Sequence, residues 1–283
     1  ALTSTQVFAQ NPNLSQKTIA EVAAFEAKRD FETTANWNDG LAHPAPYKNP
    51  FAQGKERGLV LGGGGTPLIA WYVGYFNALK KSGVDLSNAD AVVGTSAGAL
   101  FGAMLTTGHL WRITDEIDLF ADFPKLLAAM MPATQFNLSQ LRAQRAELSV
   151  SDASLASIQK IGKAAMASSN PDGVAKYYIV AEKLLTSGTW PFPGMFITTN
   201  DCYTGQRLVI SKDNNVPINV ACAASSSAPG QMGPTFVKDH LCMDGGITSS
   251  STHSDVIAGV RRALVISLGN GTIDDQKQGL RLS

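Results

Sequence analysis

One serine in the sequence has neighbours that are typical of a catalytic nucleophile. Ser96 is the centre of Gly94-Thr95-Ser96-Ala97-Gly98, which follows the apolar run 91–93 and precedes a stretch of small residues. At a strand-to-helix turn of this kind the serine hydroxyl is exposed, and Gly94 and Gly98 avoid a collision between a Cβ and neighbouring elements. The pentapeptide alone also occurs in ordinary turns. The strand and helix predicted around it favour a nucleophile elbow.

A glycine-rich segment before this pentapeptide is suited to binding negative charge. Four consecutive glycines, Gly62 to Gly65, follow the apolar run 58–61 and lead into a predicted helix at 68–82. Such a segment directs several N–H groups to one point near a helix N-terminus, where either a reaction oxyanion or a phosphate is stabilised. The phosphate interpretation is disfavoured, because the segment matches neither the dinucleotide fingerprint nor a P-loop.

Composition excludes several classes of function. The chain has 283 residues with 44% hydrophobic content and 23 charges of each sign, so it has enough apolar residues for a full core and no overall attraction to nucleic acid. Its neutral charge predicts membrane contact that is transient and hydrophobic. The three cysteines are expected to be free and buried. Neither they nor the four histidines have metal-ligand spacing, so no metal site is expected.

The order of predicted elements indicates an α/β fold with an N-terminal extension. Residues 1–56 are polar, with one predicted helix at 15–31 and an extended connector at 36–53, and the main domain is expected to occupy 57–283. A helical segment at about 109–170 is interpreted as a cap. Further elements are predicted as strands at 58–61, 91–93, 177–182, 195–201, 207–210 and 262–269, and as a helix at 216–227. Residues 240–246 are predicted to place Asp244 on a turn.

Three motifs, taken in order, resemble those of the patatin-like phospholipases. They are the glycine loop at 62–65, the Ser96 pentapeptide, and Asp244-Gly245-Gly246, a motif that ends a strand in the family. Weaker matches are the Ala/Ser-rich segment 223–229 and the terminal strand at 265–271. The resemblance extends over residues 57 to 271, and three motifs together are far more specific than one.

The resemblance implies a set of residue roles. Ser96 would be the nucleophile that forms an acyl-enzyme, and Asp244 would be the general base of a Ser-Asp dyad. The N–H groups of Gly63, Gly64 and Gly65 would form the oxyanion hole. No cofactor and no metal would enter the reaction. The substrate would be a lipid or another acyl ester, taken during transient contact with a membrane or micelle surface.

The resemblance also implies the architecture, namely a three-layer sandwich with a mostly parallel central sheet flanked by helices. It gives no oligomeric state. The N-terminus lacks the charged-then-apolar pattern of a signal peptide, so a cytoplasmic or peripheral-membrane location is favoured, with secretion as the alternative.

Two departures from the family pattern leave alternatives open. Thr66-Pro67-Leu68 stands where the family has a basic residue after the glycines, and a Ser/Thr-rich run at 247–253 replaces an Asn-Pro. A non-catalytic lipid-binding module is therefore one alternative. A Ser96-Asp244-His253 triad is another, although the short spacing between Asp244 and His253 favours a surface histidine. His240 is also expected on the surface.

Overall fold

The protein is represented by a computed structural model that describes residues 38–110, 136–149, 154–247 and 252–267. The helix predicted at 15–31 lies outside these residues. The part of the predicted terminal strand after residue 267 also lies outside them. So do the parts of the predicted cap at 111–135 and 150–153. The division into an extension, a main domain and a cap stays a prediction.

The described residues form seven strands and six α-helices. The strands are β1 (Arg57–Leu61), β2 (Ala91–Thr95), β3 (Met195–Asp201), β4 (Arg207–Ser211), β5 (Thr235–Val237), β6 (His240–Asp244) and β7 (Arg262–Ile266). The α-helices are α1 (Gly65–Lys81), α2 (Ala97–Thr106), α3 (Leu138–Ser149), α4 (Leu155–Ala167), α5 (Pro171–Leu185) and α6 (Ile218–Ser225). Short 3₁₀ helices cover Pro50–Ala52, Lys212–Asn214, Gly245–Ile247 and Ser254–Ile257.

The strands form one sheet in the order β5-β6-β3-β2-β1-β7, with β4 paired to β3. Strands β7, β1, β2 and β3 are parallel, whereas β4 and β6 run antiparallel to β3. Parallel strands need crossover connections, and α1 supplies the one between β1 and β2. The α/β class expected from the element order is confirmed, with an antiparallel part added beyond β3.

Both faces of the sheet are covered, which explains why its central strands are apolar at nearly every position. Leu59 and Val92 pack on the face that holds α1, α2, α5 and α6. Val60 and Val93 pack on the other face against the 3₁₀ helix Ser254–Ile257. Within the described part of the chain, no helix is long and apolar enough to cross a membrane.

The strand predicted at 177–182 is wrong, because this segment lies inside α5. The helix begins at Pro171, and the Asn170 side chain accepts a hydrogen bond of 3.0 Å from the Gly173 N–H, which caps the first turn. The run of aromatic and branched residues has strand-like composition but helical spacing. The buried side chains of this face are Tyr177, Val180, Ala181, Leu184 and Leu185.

Other predicted elements agree with the structure, with one difference in burial. The connector runs beside β4, where Ala42 forms a bridge with Leu208. The three cysteines are free and buried, as expected. The last strand was expected in the core, but β7 (Arg262–Ile266) is exposed or half-buried, because in the described part it pairs with β1 alone.

Two helical glycines should respond to alanine in opposite ways. A Cβ on Gly98 would collide with the Leu61 carbonyl, whereas a Cβ on Gly74, in the middle of α1, has no atom within 4 Å. We expect Gly98→Ala to lower the free energy of unfolding by about 3 kcal/mol through overpacking. Gly74→Ala should raise it by about 0.5 to 1 kcal/mol through helix propensity. Urea unfolding of both variants measures this, and equal effects would contradict the close packing of α2 on β1.

Candidate active site

The ends of two strands meet along one edge of β3. Strand β2 ends with Thr95 opposite Thr198, and β6, which runs in the opposite direction, ends with Asp244 opposite Thr199. The other edge of β3 is paired with β4 over the same stretch. Because Thr198 and Thr199 are consecutive, the residue after β2 and the last residue of β6 are brought together. These residues are Ser96 and Asp244.

Ser96 occupies a strained backbone conformation at this point. Its φ of 53° and ψ of −118° are unusual for a residue with a side chain. The Ser96 N–H donates a hydrogen bond of 2.7 Å to the Ser225 hydroxyl, which itself donates to the Thr198 carbonyl at 2.7 Å. Ser225, at the end of α6, therefore fixes the turn to the end of β3. The Ala/Ser-rich segment 223–229 was a weaker match to the family pattern, and the sequence alone assigned no role to Ser225.

Asp244 is a buried carboxylate that interacts with Ser96. The residue is 8% exposed and its carboxylate accepts a hydrogen bond of 2.7 Å from the Gly246 N–H. Burial raises the pKa of Asp244 to about 6, although the hydrogen bonds from Gly246 and Ser96 oppose the rise. A carboxylate with this pKa is ionised at neutral pH and is a stronger base than an ordinary aspartate.

The backbone around Asp244 is also held on both sides. The Asp244 N–H donates to the Ser227 carbonyl at 2.9 Å, and the Asn200 side chain donates to the Asp244 carbonyl at 2.7 Å. The Thr199 hydroxyl donates to the preceding carbonyl, that of Met243, at 2.6 Å. These contacts fix the end of β6 relative to β3. The aspartate therefore has little freedom to move away from Ser96.

The glycine loop lies against Ser96 at the N-terminus of α1. An ideal Cβ on Gly63 would lie 3.1 Å from Ser96 Cβ, so the loop backbone directly contacts the serine. Among the described residues, the N–H groups of Gly63, Gly64 and Gly65 donate to no acceptor. The Tyr72 hydroxyl donates to the Gly62 carbonyl at 2.9 Å and anchors the start of the loop. Free N–H donors at a helix N-terminus suit the binding of negative charge.

His253 is not the surface residue that its position in the sequence suggested. It is fully buried, and its Nε2 donates to the Gly245 carbonyl at 2.7 Å while Nδ1 lies 3.2 Å from Arg207. Arg207 also forms a buried, bidentate ion pair with Asp255, both contacts being 2.7 Å. Burial and the Arg207 charge lower the pKa of His253 to about 4, so the ring is neutral. Both ring nitrogens are occupied by partners other than Asp244 and Ser96.

His240 is likewise buried, contrary to expectation. Its ring lies between Asp39, at 2.7 Å, and Asp201, at 3.1 Å. Although burial opposes the shift, the hydrogen bonds to these two carboxylates raise the pKa of His240. The residue thus ties the segment before β1 to the end of β3. In the described residues, no group of three His, Cys, Asp or Glu side chains is arranged to hold a metal ion.

A second carboxylate near Asp244 had no signal in the sequence motifs. Burial and the charge of Asp244 raise the pKa of Glu147 to about 7. Glu147 belongs to α3, on the side of the helix that also carries the buried Ala143. In the sequence, Glu147 looks like any surface glutamate of a polar helix. Its proximity to Asp244 arises only from the packing of α3.

The sequence comparison assigns the chain to a family. The sequence model described as patatin-like phospholipase matches residues 59–257, which is more than half of the chain and contains both Ser96 and Asp244. The α/β fold described above agrees with this match. The chain therefore belongs to the patatin-like phospholipase family. No curated protein matches the sequence.

Two solved structures are similar to the chain at low sequence identity. VipD from Legionella pneumophila is 16% identical, with a TM-score of 0.37 and an alignment that covers 68% of this chain and 46% of VipD. The type III effector protein ExoU is 22% identical, with a TM-score of 0.31 and coverage of 69% and 43%. The chain spans less than half the length of either protein.

The buried state of His253 predicts a measurable dependence of stability on pH. The ordinary histidine pKa is 6.5 and the folded value is about 4, so between these values the unfolded chain binds the additional proton. Stability contributed by this site should therefore be lost as the pH falls from 6.5 towards 4. His253→Gln keeps a donor for Gly245 but does not titrate.

The test is urea unfolding of the two chains across this pH range. We expect the unmutated chain to lose more stability on acidification than His253→Gln does. Since the other titrating groups are the same in both chains, the difference reports His253. Parallel curves for the two chains would contradict a neutral, buried His253.

Proposed function

We propose that the protein is a lipid acyl hydrolase that cleaves carboxylic ester bonds of phospholipids or related acyl lipids through a Ser96-Asp244 dyad. The observation that carries this proposal is the strained Ser96 turn beside the end of β6, where the buried Asp244 carboxylate stands. Membership of the patatin-like phospholipase family supports the lipid substrate class.

In the first half of the proposed reaction, the Asp244 carboxylate accepts the proton of the Ser96 hydroxyl as its oxygen attacks the ester carbonyl. The resulting oxyanion is stabilised by the N–H groups of Gly63, Gly64 and Gly65, and one such donor typically contributes about 3 kcal/mol to the transition state. When the tetrahedral intermediate collapses, protonated Asp244 returns the proton to the leaving alcohol. An acyl-Ser96 intermediate remains.

In the second half, a water molecule takes the place of the alcohol. Asp244 accepts a proton from this water, whose oxygen attacks the acyl-Ser96 carbonyl. The same N–H donors stabilise the second oxyanion. The proton then passes from Asp244 to the Ser96 oxygen as the fatty acid leaves, which restores the starting state of both residues.

The alternative with His253 as the base has less support. The hydrogen bond from its Nε2 to Gly245 and the contact of its Nδ1 with Arg207 leave neither nitrogen for Ser96. We assign His253 instead to positioning the turn that follows Asp244. The non-catalytic module is supported by the missing basic residue after the glycine loop and by the absence of the Asn-Pro after Asp244, whereas the open N–H groups of the loop favour the enzyme.

Labelling with a fluorophosphonate probe tests the nucleophile. We expect the unmutated chain and the exposed-loop control Ser187→Ala to be labelled, and Ser96→Ala to lose all labelling. Asp244→Asn should reduce hydrolysis of a soluble p-nitrophenyl ester by at least about 10³-fold, because the base is lost while the shape is kept. Labelling that survives Ser96→Ala would place the nucleophile elsewhere. A chain that is never labelled would favour the non-catalytic module.

The pKa of Asp244 predicts the acidic side of the pH profile. Since the carboxylate must be ionised to accept the Ser96 proton, kcat/KM for a neutral soluble ester should rise with pH through a midpoint near 6. Glu147→Gln should keep this limb, because Glu147, with a pKa of about 7, is still largely protonated where Asp244 titrates. A midpoint near 4 in both the unmutated chain and Glu147→Gln would contradict the raised pKa of Asp244.

A further inference from the structure

A groove on the outer side of α3 and α4 is lined by basic side chains. It has a volume of about 490 Å³ and is lined by Arg142, Ala146, Ala156, Gln159, Lys160, Lys163 and Ala164. The alanines keep the two helices from filling the space between them, and the exposed Arg142, Lys160 and Lys163 border it. Among the described residues, no acidic side chain lines this groove. Its chemistry therefore suits anionic groups.

The two helices that border the groove carry an excess of positive charge. The two helices carry Arg142, Arg145, Lys160 and Lys163 against one acidic residue, Glu147. Within the described part of the chain, none of these four basic side chains forms an ion pair with a carboxylate. A chain with zero net charge thus concentrates positive charge on one surface. Such a surface attracts anionic partners over roughly the Debye length.

Exposed leucines lie beside the same groove. On α3, Leu138, Leu141 and Leu148 are 62%, 41% and 85% exposed, and Leu155 at the start of α4 is 54% exposed. The three α3 leucines share one side of the helix with Arg145. Basic residues next to exposed apolar residues are typical of helices that lie in the interface of a membrane. A soluble anion would bind the charges but would leave the leucines in water.

The geometry points to a docking surface for the phosphate-bearing headgroups of an anionic phospholipid bilayer. We name it the α3–α4 docking surface, made of Arg142, Arg145, Lys160 and Lys163 with Leu138, Leu141, Leu148 and Leu155. The phosphates lie along the groove and the leucines enter the acyl boundary. The purpose of this docking rests on the proposed function, because an enzyme docked on the bilayer meets its lipid substrate there.

The position of this surface suits that purpose. Glu147 and Ala143 lie on the inner side of α3, where Glu147 interacts with Asp244, and the docking surface lies on the outer side. An α-helix with its side chains is roughly 10 Å wide. Helix α4 is joined to the same region, because Ile158, Ile161 and Ala165 pack against Met243, the neighbour of Asp244. Docking therefore brings the bilayer to within about one helix width of the site.

Binding to vesicles tests the docking surface without catalysis. The full chain carrying Ser96→Ala is sedimented with vesicles of phosphatidylcholine alone or with about 30% phosphatidylglycerol at about 0.1 M salt. We expect stronger partition to the anionic vesicles. Lys160→Gln/Lys163→Gln should lower that partition by about 30-fold, given the usual contribution of a lysine at an anionic membrane surface. Leu141→Gln/Leu148→Gln should lower binding to both kinds of vesicle.

The matched control is Lys80→Gln/Lys81→Gln, which removes two exposed lysines from the end of α1 and should bind as its parent does. An equal loss in this control, or no loss in Lys160→Gln/Lys163→Gln, overturns the docking surface. In the chain with Ser96, the Lys160→Gln/Lys163→Gln variant should hydrolyse a soluble ester at the unmutated rate. If no ester is hydrolysed but the binding pattern holds, the proposed function fails and the docking surface stands.

Discussion

The structure depends on one edge of β3 that is shared by two strands of opposite direction. Strand β2 occupies the first half of this edge and β6 the second half, so their C-terminal ends meet opposite Thr198 and Thr199. The meeting point is fixed by the hydrogen-bond register, because a slip of one residue would turn every side chain to the other face. Ser96 and Asp244 are thus brought together by the backbone before any side-chain contact is made.

The contacts around this meeting point hold Ser96 and Asp244 in place and lower their exposure to water. The Ser225 hydroxyl joins Ser96 to Thr198, and Asn200 holds the Asp244 carbonyl. On the other side, the ion pair of Arg207 with Asp255 orients His253, which binds the next carbonyl, that of Gly245. Buried hydrogen bonds of this kind make the local arrangement specific. The burial that they accompany is also what raises the Asp244 pKa to about 6.

The sequence predicted those features that depend on local residue types. Gly94 and Gly98 are required by close backbone approach, and Gly63 lies against Ser96, so the strand-turn-helix units were predictable from their glycines. The strand-like composition of 177–182 led to a wrong prediction of a strand. The Asn170-Pro171 cap and the helical spacing of the apolar residues were the better indicators of a helix. The burial of His253 was not predictable, because its partner Arg207 lies far away in the chain. The proximity of Glu147 to Asp244 has the same origin in tertiary packing.

The distribution of charge over the surface is a further feature that the net charge of the sequence does not reveal. A net charge of zero predicted only hydrophobic contact with membranes, and that inference holds if the charges are evenly mixed. The structure separates them across α3, where Glu147 faces Asp244 and Arg142 and Arg145 face outward. Over roughly one Debye length a membrane responds to the local charge and not to the net charge. Neutral composition and electrostatic docking are therefore compatible, because one helix keeps the acidic residue near the site and presents the basic residues to the surface.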